Sequence, residues 1–240
     1  MSFKKPFTKS NVDYYLNELA KEYRKITRKN TIPVEIILVG GTSILVNYGF
    51  RESTYDMDAI LQWKVLDEVI KNISIKFELE RKWLNSDFTR TNSYSKNLVE
   101  HSVYYTCFQK VLNVRTIKDE YLIAMKMVSA RVYKNDLSDI VGILMNQKDN
   151  VDQINIEKIE KAVLDLYGNT NIVNKDVWNI IERMLTNVSY QELYKSYRIT
   201  EDLAHKQLLE LRIINENDLS HEDINVFSEV FISNFDKYIS

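Results

Sequence analysis

Cysteine, histidine, proline and glycine are all scarce in this 240-residue chain, and each scarcity removes a class of explanation. A single cysteine, Cys107, rules out an intrachain disulfide, and with only three histidines beside it no zinc site of Cys/His spacing is expected. Two prolines and five glycines supply no Pro- or Gly-rich linker, and no low-complexity tract breaks the chain, so disorder is expected at the termini alone. Long apolar runs are missing too: "IPVEIILV" and "YLIAMKMVSA" fall far short of a bilayer span. The opening "MSFKKPFTKS" lacks the apolar stretch of a secretory leader. The expected compartment is therefore the cytoplasm, with no membrane partner.

What is present suits a globular protein. Hydrophobic residues make up 45% and charged residues 28%, and a 28.4 kDa chain can bury a sizeable core as one large domain or two small ones. The net charge of -2 conceals an uneven distribution: residues 1–30 hold eight Lys/Arg against three acids, and residues 201–240 hold three against nine. A basic N-terminal face suits RNA phosphates or a polyphosphate, whereas an acidic tail suits a basic partner. Solvated faces of amphipathic helices account for the same charges.

Periodicity places the elements. Val12, Tyr15, Leu16, Leu19, Tyr23 and Ile26 recur at helical spacing and predict a helix over 10–28, capped by Ser10 or Asn11. The run "VEIILV" after Pro33 predicts a buried strand that Gly40 and Gly41 end. "TSILVNYG" predicts a short helix stopped by Gly49, and "DMDAIL" a second strand. Helical spacing resumes from Leu66 to Phe77 and "WLNSDF" interrupts it. "SVYYTCF" and "LNVRTI" predict paired strands around Gln109-Lys110, followed by a helix from Lys118 to Tyr133. Past "NQKDN" the segments "INIEKIEKAVLDLYG", "KDVWNIIERML" and "YQELYKSY" are all helical in pattern. The expected class is α+β: a mixed sheet flanked by helices over residues 1–146, then an all-helical domain over 151–240.

The chemistry concentrates in "VGGTSILVNYGFRESTYDMDAIL", residues 39–61, where a glycine-poor chain sets two glycines side by side. In a strand Asp56 and Asp58 share a face, roughly 7 Å apart at a rise of ~3.3 Å per residue, and Met57 points the other way. Neighbouring carboxylates repel unless a proton, water or cation compensates, and a hard ion such as Mg2+ (or Mn2+) is a common compensation. Gly40 and Gly41 place a turn without side chains before a helix N-terminus, where free N–H groups favour phosphate; Thr42 and Ser43 add hydroxyls. Taken together, these features fit a nucleoside triphosphate with its metal. The Gly-Lys-Ser/Thr of a P-loop and the glycine triplet of dinucleotide folds are both absent. Farther on, Lys126 lies in a helix apolar nearly all round, so it needs an acid such as Asp136 or Asp139, or a bound phosphate; Arg51 and Arg131 carry the same two readings. Asp136 and Asp139 share a face if that segment is helical.

This glycine-helix-aspartate unit resembles the signature of the DNA polymerase β-like nucleotidyltransferase superfamily. With "WLNSDF" and "TIKDEYLIAMKMVSARVYKNDLSDIVGIL" it is similar to uncharacterised bacterial nucleotidyltransferases of the DUF6036 kind, and more distantly to abortive-infection type IV toxin nucleotidyltransferases. The resemblance implies that Gly40, Gly41, Thr42, Ser43 and Arg51 bind the nucleotide. It implies further that Asp56 and Asp58 hold Mg2+ or Mn2+, and that Lys126 and Asp136 or Asp139 serve catalysis. It implies an NTP substrate, a tRNA or protein acceptor and an antitoxin-like partner. The superfamily sets a third carboxylate on a later central strand, and here "SVYYTCF" and "LNVRTI" have none, leaving Asp87, Glu100 or Asp136 to substitute from elsewhere. A silent nucleotidyltransferase-like fold that binds nucleotide, RNA or protein is the alternative function.

Overall fold

The apolar run after Pro33 folds as β1 (Val34–Leu38), the central strand of a five-stranded mixed sheet. It pairs antiparallel with β2 (Met57–Leu61) on one side and parallel with β5 (Leu112–Ile117) on the other. Beyond these lie β3 (Leu84–Asn85), parallel to β2, and β4 (Ser102–Phe108), antiparallel to β5, giving the order β3-β2-β1-β5-β4. The turn joining β4 to β5 puts Gln109 and Lys110 at φ 53° and 59°, the pair of positive angles that a tight hairpin demands. The computed structural model describes residues 5–28, 31–61, 64, 66–187, 189–214 and 220–233, and its mixed sheet followed by helices confirms the α+β class.

Strand alternation divides the sheet into two chemically different faces. Val34, Ile36, Leu38, Met57, Ala59, Leu84, Leu112 and Val114 join one buried cluster with α1 (Lys9–Thr27) and α3 (Leu66–Phe77). Trp83 is among the largest side chains of that cluster; its indole N–H donates to the Ile70 carbonyl at 3.2 Å. The opposite parity carries Glu35, Ile37, Asp58, Ile60, Asn113 and Arg115, and the Arg115 guanidinium lies 4.0 Å from the Glu35 carboxylate. Apart from the buried Thr116, the polar residues of β1, β2 and β5 therefore share the face that bears Asp58.

The chain divides into two compact units, residues 1–122 and 123–240, with the division inside α4 (Asp119–Ser129). In the second unit α5 (Asp136–Gln147) packs against α8 (Tyr190–Ile214), and α7 (Lys175–Leu185) packs against both α6 (Ile156–Tyr167) and α9 (His221–Ser233). Capping accounts for these boundaries: Asn155 and Asn174 side chains accept from Lys158 and Asp176 N–H groups, and Gly168, at φ 79°, closes α6.

Several boundaries differ from the sequence expectation, each for a local reason. The cap of α1 is Thr8, because Asn11 sits at the third helical position and its side-chain oxygen accepts the Thr8 N–H at 2.9 Å. The helix expected to run to Tyr133 stops at Ser129, where Ala130 takes φ 36° and the Asp136 carboxylate accepts the Arg131 N–H at 3.1 Å. "WLNSDF", expected as an interruption, holds the two-residue β3 and the start of a 3-10 helix (Asp87–Arg90), too short for periodicity to reveal.

Candidate active site

The glycine pair does not precede a helix; it is the first turn of one. α2 spans Gly40–Asn47 with Val39 as its extended N-cap, and Gly40 sits at φ 53°, a left-handed conformation that glycine adopts without penalty. The helix stops one residue before Gly49, at Tyr48, whose N–H bonds the Ile44 carbonyl. No acid lies in the first turn, and the leading N–H groups of any helix lack intrahelical acceptors.

Each glycine faces a different charged group. A Cβ on Gly40 would stand 3.9 Å from Oδ2 of Asp58, so the Asp58 carboxylate is held beside the start of α2. A Cβ on Gly41 would stand 2.8 to 3.1 Å from the Arg51 guanidinium, which therefore lies against the first turn of that helix in space a side chain would fill. The Arg51 Nε donates to the Ser53 carbonyl at 3.2 Å.

The backbone on either side of Asp56 is anchored by threonines. Thr42 and Thr54 hydroxyls both donate to the Asp56 carbonyl, at 3.3 and 3.2 Å. Thr54 is itself fixed by an antiparallel bridge to Phe7, a contact that nothing in the sequence pattern announces. Asp56 is exposed in the bend just before β2, Met57 is buried, and Asp58 is half-buried within the strand, so the strand expected from Asp56 begins one residue later. The Ser43 hydroxyl is fully buried and accepts the Ile117 N–H at 3.2 Å, tying α2 to the end of β5. Nearby the Tyr48 hydroxyl donates to Asp119, and burial, reinforced by that carboxylate, pushes the phenol far above its usual range.

One or two carboxylates suffice for a Mg2+ ion that keeps water and takes substrate phosphates as its other ligands. Among the described residues no group of three or more His, Cys, Asp or Glu is placed to hold a metal. Asp87 is exposed and paired with Lys82 at 2.8 Å, Glu100 is exposed, and both oxygens of Asp136 are engaged by Lys126 and Arg131. On β5 the residues of Asp58 parity are Asn113, Arg115 and Ile117, none of them acidic.

Lys126 and Asp136 come together in the second unit. The Lys126 ammonium lies 2.7 Å from Asp136 and 2.8 Å from Asp139, all three groups buried. Arg131 adds its Nε at 2.9 Å and its own N–H to Asp136. Burial alone would raise the Asp136 pKa, but the Arg131 and Lys126 charges outweigh it and hold the group well below the carboxylate range. Glu201 of α8 completes the cluster: its Oε1 accepts the Leu137 and Ser138 N–H groups at 2.8 and 3.2 Å. Sequence reasoning passed over Glu201, yet a signal existed. It stands in the stripe Tyr197, Thr200, Ala204, Leu208, where helical spacing calls for buried residues.

The sequence profile of a nucleotidyltransferase family of unknown function, DUF6036, matches residues 14–198. The chain belongs to this family. Its match takes in the glycine pair, Arg51, Asp56, Asp58, Lys126, Arg131, Asp136 and Asp139, and ends before Glu201. No curated protein and no solved structure matches the chain. No helix of the described residues is long and apolar enough to cross a membrane.

Proposed function

We propose that this DUF6036 member is a divalent-metal-dependent nucleotidyltransferase that moves a nucleoside monophosphate from an NTP to a hydroxyl acceptor. The observation that carries this reading is the Asp58 carboxylate beside Gly40 and the Arg51 guanidinium over Gly41, at one helix start, in a chain of that family. Gly40, Gly41 and Thr42 offer backbone N–H groups to the triphosphate, Arg51 adds a guanidinium fork, and Asp56 and Asp58 would hold Mg2+ or Mn2+. Ser43, expected to join them, is instead buried with its N–H on the Val39 carbonyl and its hydroxyl on the Ile117 N–H. The metal supplies charge neutralisation on the phosphates and a lowered pKa for the attacking hydroxyl. That oxygen bonds the α-phosphorus, the bond to the β-phosphate oxygen breaks, and pyrophosphate leaves.

Lys126 and Asp136 form the second functional group in this proposal, their mutual pairing fixing the start of α5. Residues 1–146 are the nucleotidyltransferase part and 151–240 an accessory part, a division by motif, since the compact units part at Leu122. The eight Lys/Arg of residues 1–30 favour an RNA 3′ end, such as that of tRNA, over a protein hydroxyl as acceptor. A toxin-like role with an antitoxin-like partner follows from the same resemblance.

A binding-only descendant is the second reading, favoured by the absence of acids from β4 and β5. Incubation with each labelled NTP, Mg2+ or Mn2+ and total tRNA, resolving RNA and protein, separates the two. Label with the natural protein and none with Asp56→Ala or Asp58→Ala establishes transfer and names the acceptor. NTP binding by calorimetry without label means either an acceptor missing from the mixture or a binding-only fold, and shifts the weight to the second reading.

Gly41→Ala tests the nucleotide pocket separately. The new methyl occupies the guanidinium's place and Arg51, a flexible side chain, swings out. Folding stability should hold or rise by up to about 1 kcal/mol, because alanine favours the helix. NTP affinity in calorimetry should fall about tenfold or more, the worth of about 1.5–3 kcal/mol for a charged hydrogen bond.

A further inference from the structure

The buried cluster of the second unit holds one carboxyl too many. Lys126 and Arg131 bring two positive charges, and Asp136 and Asp139 already balance them. Glu201 sits beside them, only 1% exposed, and its second oxygen, Oε2, is a buried side-chain atom with no hydrogen-bond partner. An ionised carboxylate with an orphaned oxygen, next to two aspartates and with both cations committed, costs far more to bury than a neutral carboxyl.

The surroundings offer no rescue. Around Glu201, α5 presents Asp136 and Asp139, α4 presents Lys126, and the turn between them presents Arg131. On α8 itself the nearest ionisable groups are the buried Tyr197, the pair formed by Arg198 and Asp202 at 3.9 Å, and the exposed His205. The compensation that remains is the α5 N-terminus, whose Leu137 and Ser138 N–H groups both point at Oε1.

We propose that Glu201 is a buried proton-binding site: a neutral carboxyl that caps α5 through Oε1 and keeps its proton on Oε2, making the α5–α8 junction a latch that loosens as the proton is lost. This inference is independent of the transferase reading. Burial above all, then the Asp139 and Asp136 charges, against the pull of the Ser138 contacts, pushes the group well above the ordinary glutamate range. The sign follows from linkage. Above the ordinary glutamate pKa the unfolded chain has released this proton and the folded chain keeps it. The stabilisation is thus complete in acid and is lost as pH rises towards and through the folded value.

Urea unfolding of the full chain tests this, comparing the natural protein with Glu201→Gln at about pH 6 and about pH 8.5. Glutamine mimics the protonated form in both states, so its midpoint should already exceed the natural protein's at the lower pH, where the unfolded glutamate is ionised, and exceed it by more at the higher. A difference that stays constant across that range overturns the proposal. Glu201→Ala, which loses the cap, should be destabilised at both pH values. As a check that needs no folded variant, the natural protein at about pH 6, where exposed carboxyls are ionised, should show a protonated-carboxyl infrared band. Its absence overturns the proposal.

Discussion

Lys126→Met is expected to destabilise the protein by about 3–5 kcal/mol, the cost of leaving a buried carboxylate without its cation. The side chains are similar in length, so packing is largely kept and the loss is electrostatic. Arg131 remains on Asp136 at 2.9 Å, so the carboxylate that loses its cation is Asp139, 2% exposed, whose Oδ2 lies 2.8 Å from the ammonium. Urea unfolding of Lys126→Met, Asp139→Asn and the double variant measures this. The double variant should recover part of the loss, because removing both partners of a buried pair costs less than removing one. Additive losses would mean that the pair is not coupled.

The same cluster shapes the acid limb of stability. The Asp136 pKa is depressed in the folded state, so its contribution is present above the ordinary aspartate range and lost as pH falls through the folded value. Glu201 acts with the opposite sign at higher pH. Asp136→Asn should therefore flatten the acid limb and, by removing one of the charges that oppose Glu201 ionisation, move the Glu201 limb to lower pH, which unfolding at graded pH will show.

Most of the sheet was legible because its strands alternate or run apolar and its helices are periodic. β1, β2, β4 and β5 lie where the patterns put them, since Val34, Ile36 and Leu38 or Leu112 and Val114 leave one face to bury. What failed to show was set by contacts distant in sequence. Phe7 pairs with Thr54, and β3 exists because Met57 and Asp58 find Leu84 and Asn85. The position of α2 was misjudged by two residues, because glycine signals a turn as readily as a helical first turn at φ 53°. At the candidate site, residue types and order were visible, but the reason for two glycines was not. One faces a carboxylate and the other a guanidinium, and only coordinates distinguish those needs.

Asp58→Asn is expected to cut nucleotide transfer at least about a hundredfold while leaving stability nearly unchanged. The activity estimate follows from the several kcal/mol that a phosphate-bound metal contributes in the transition state, at about 1.4 kcal/mol per tenfold. Asparagine keeps the shape of the side chain beside Gly40 but gives up the charge that would hold the ion. The backbone is untouched: the Asp58 carbonyl still accepts the Val39 N–H at 2.9 Å, and the Asp56 carbonyl keeps both threonine hydroxyls. The substitution preserves the size of a half-buried side chain, which is why the urea midpoint should stay close to the natural protein's. Loss of activity at constant stability marks a residue held for chemistry rather than for the fold. The measurement is labelled-nucleotide transfer across a Mg2+ titration, alongside urea unfolding of the same preparations. A variant as active as the natural protein would remove Asp58 from the site, and one that unfolds early would make it structural.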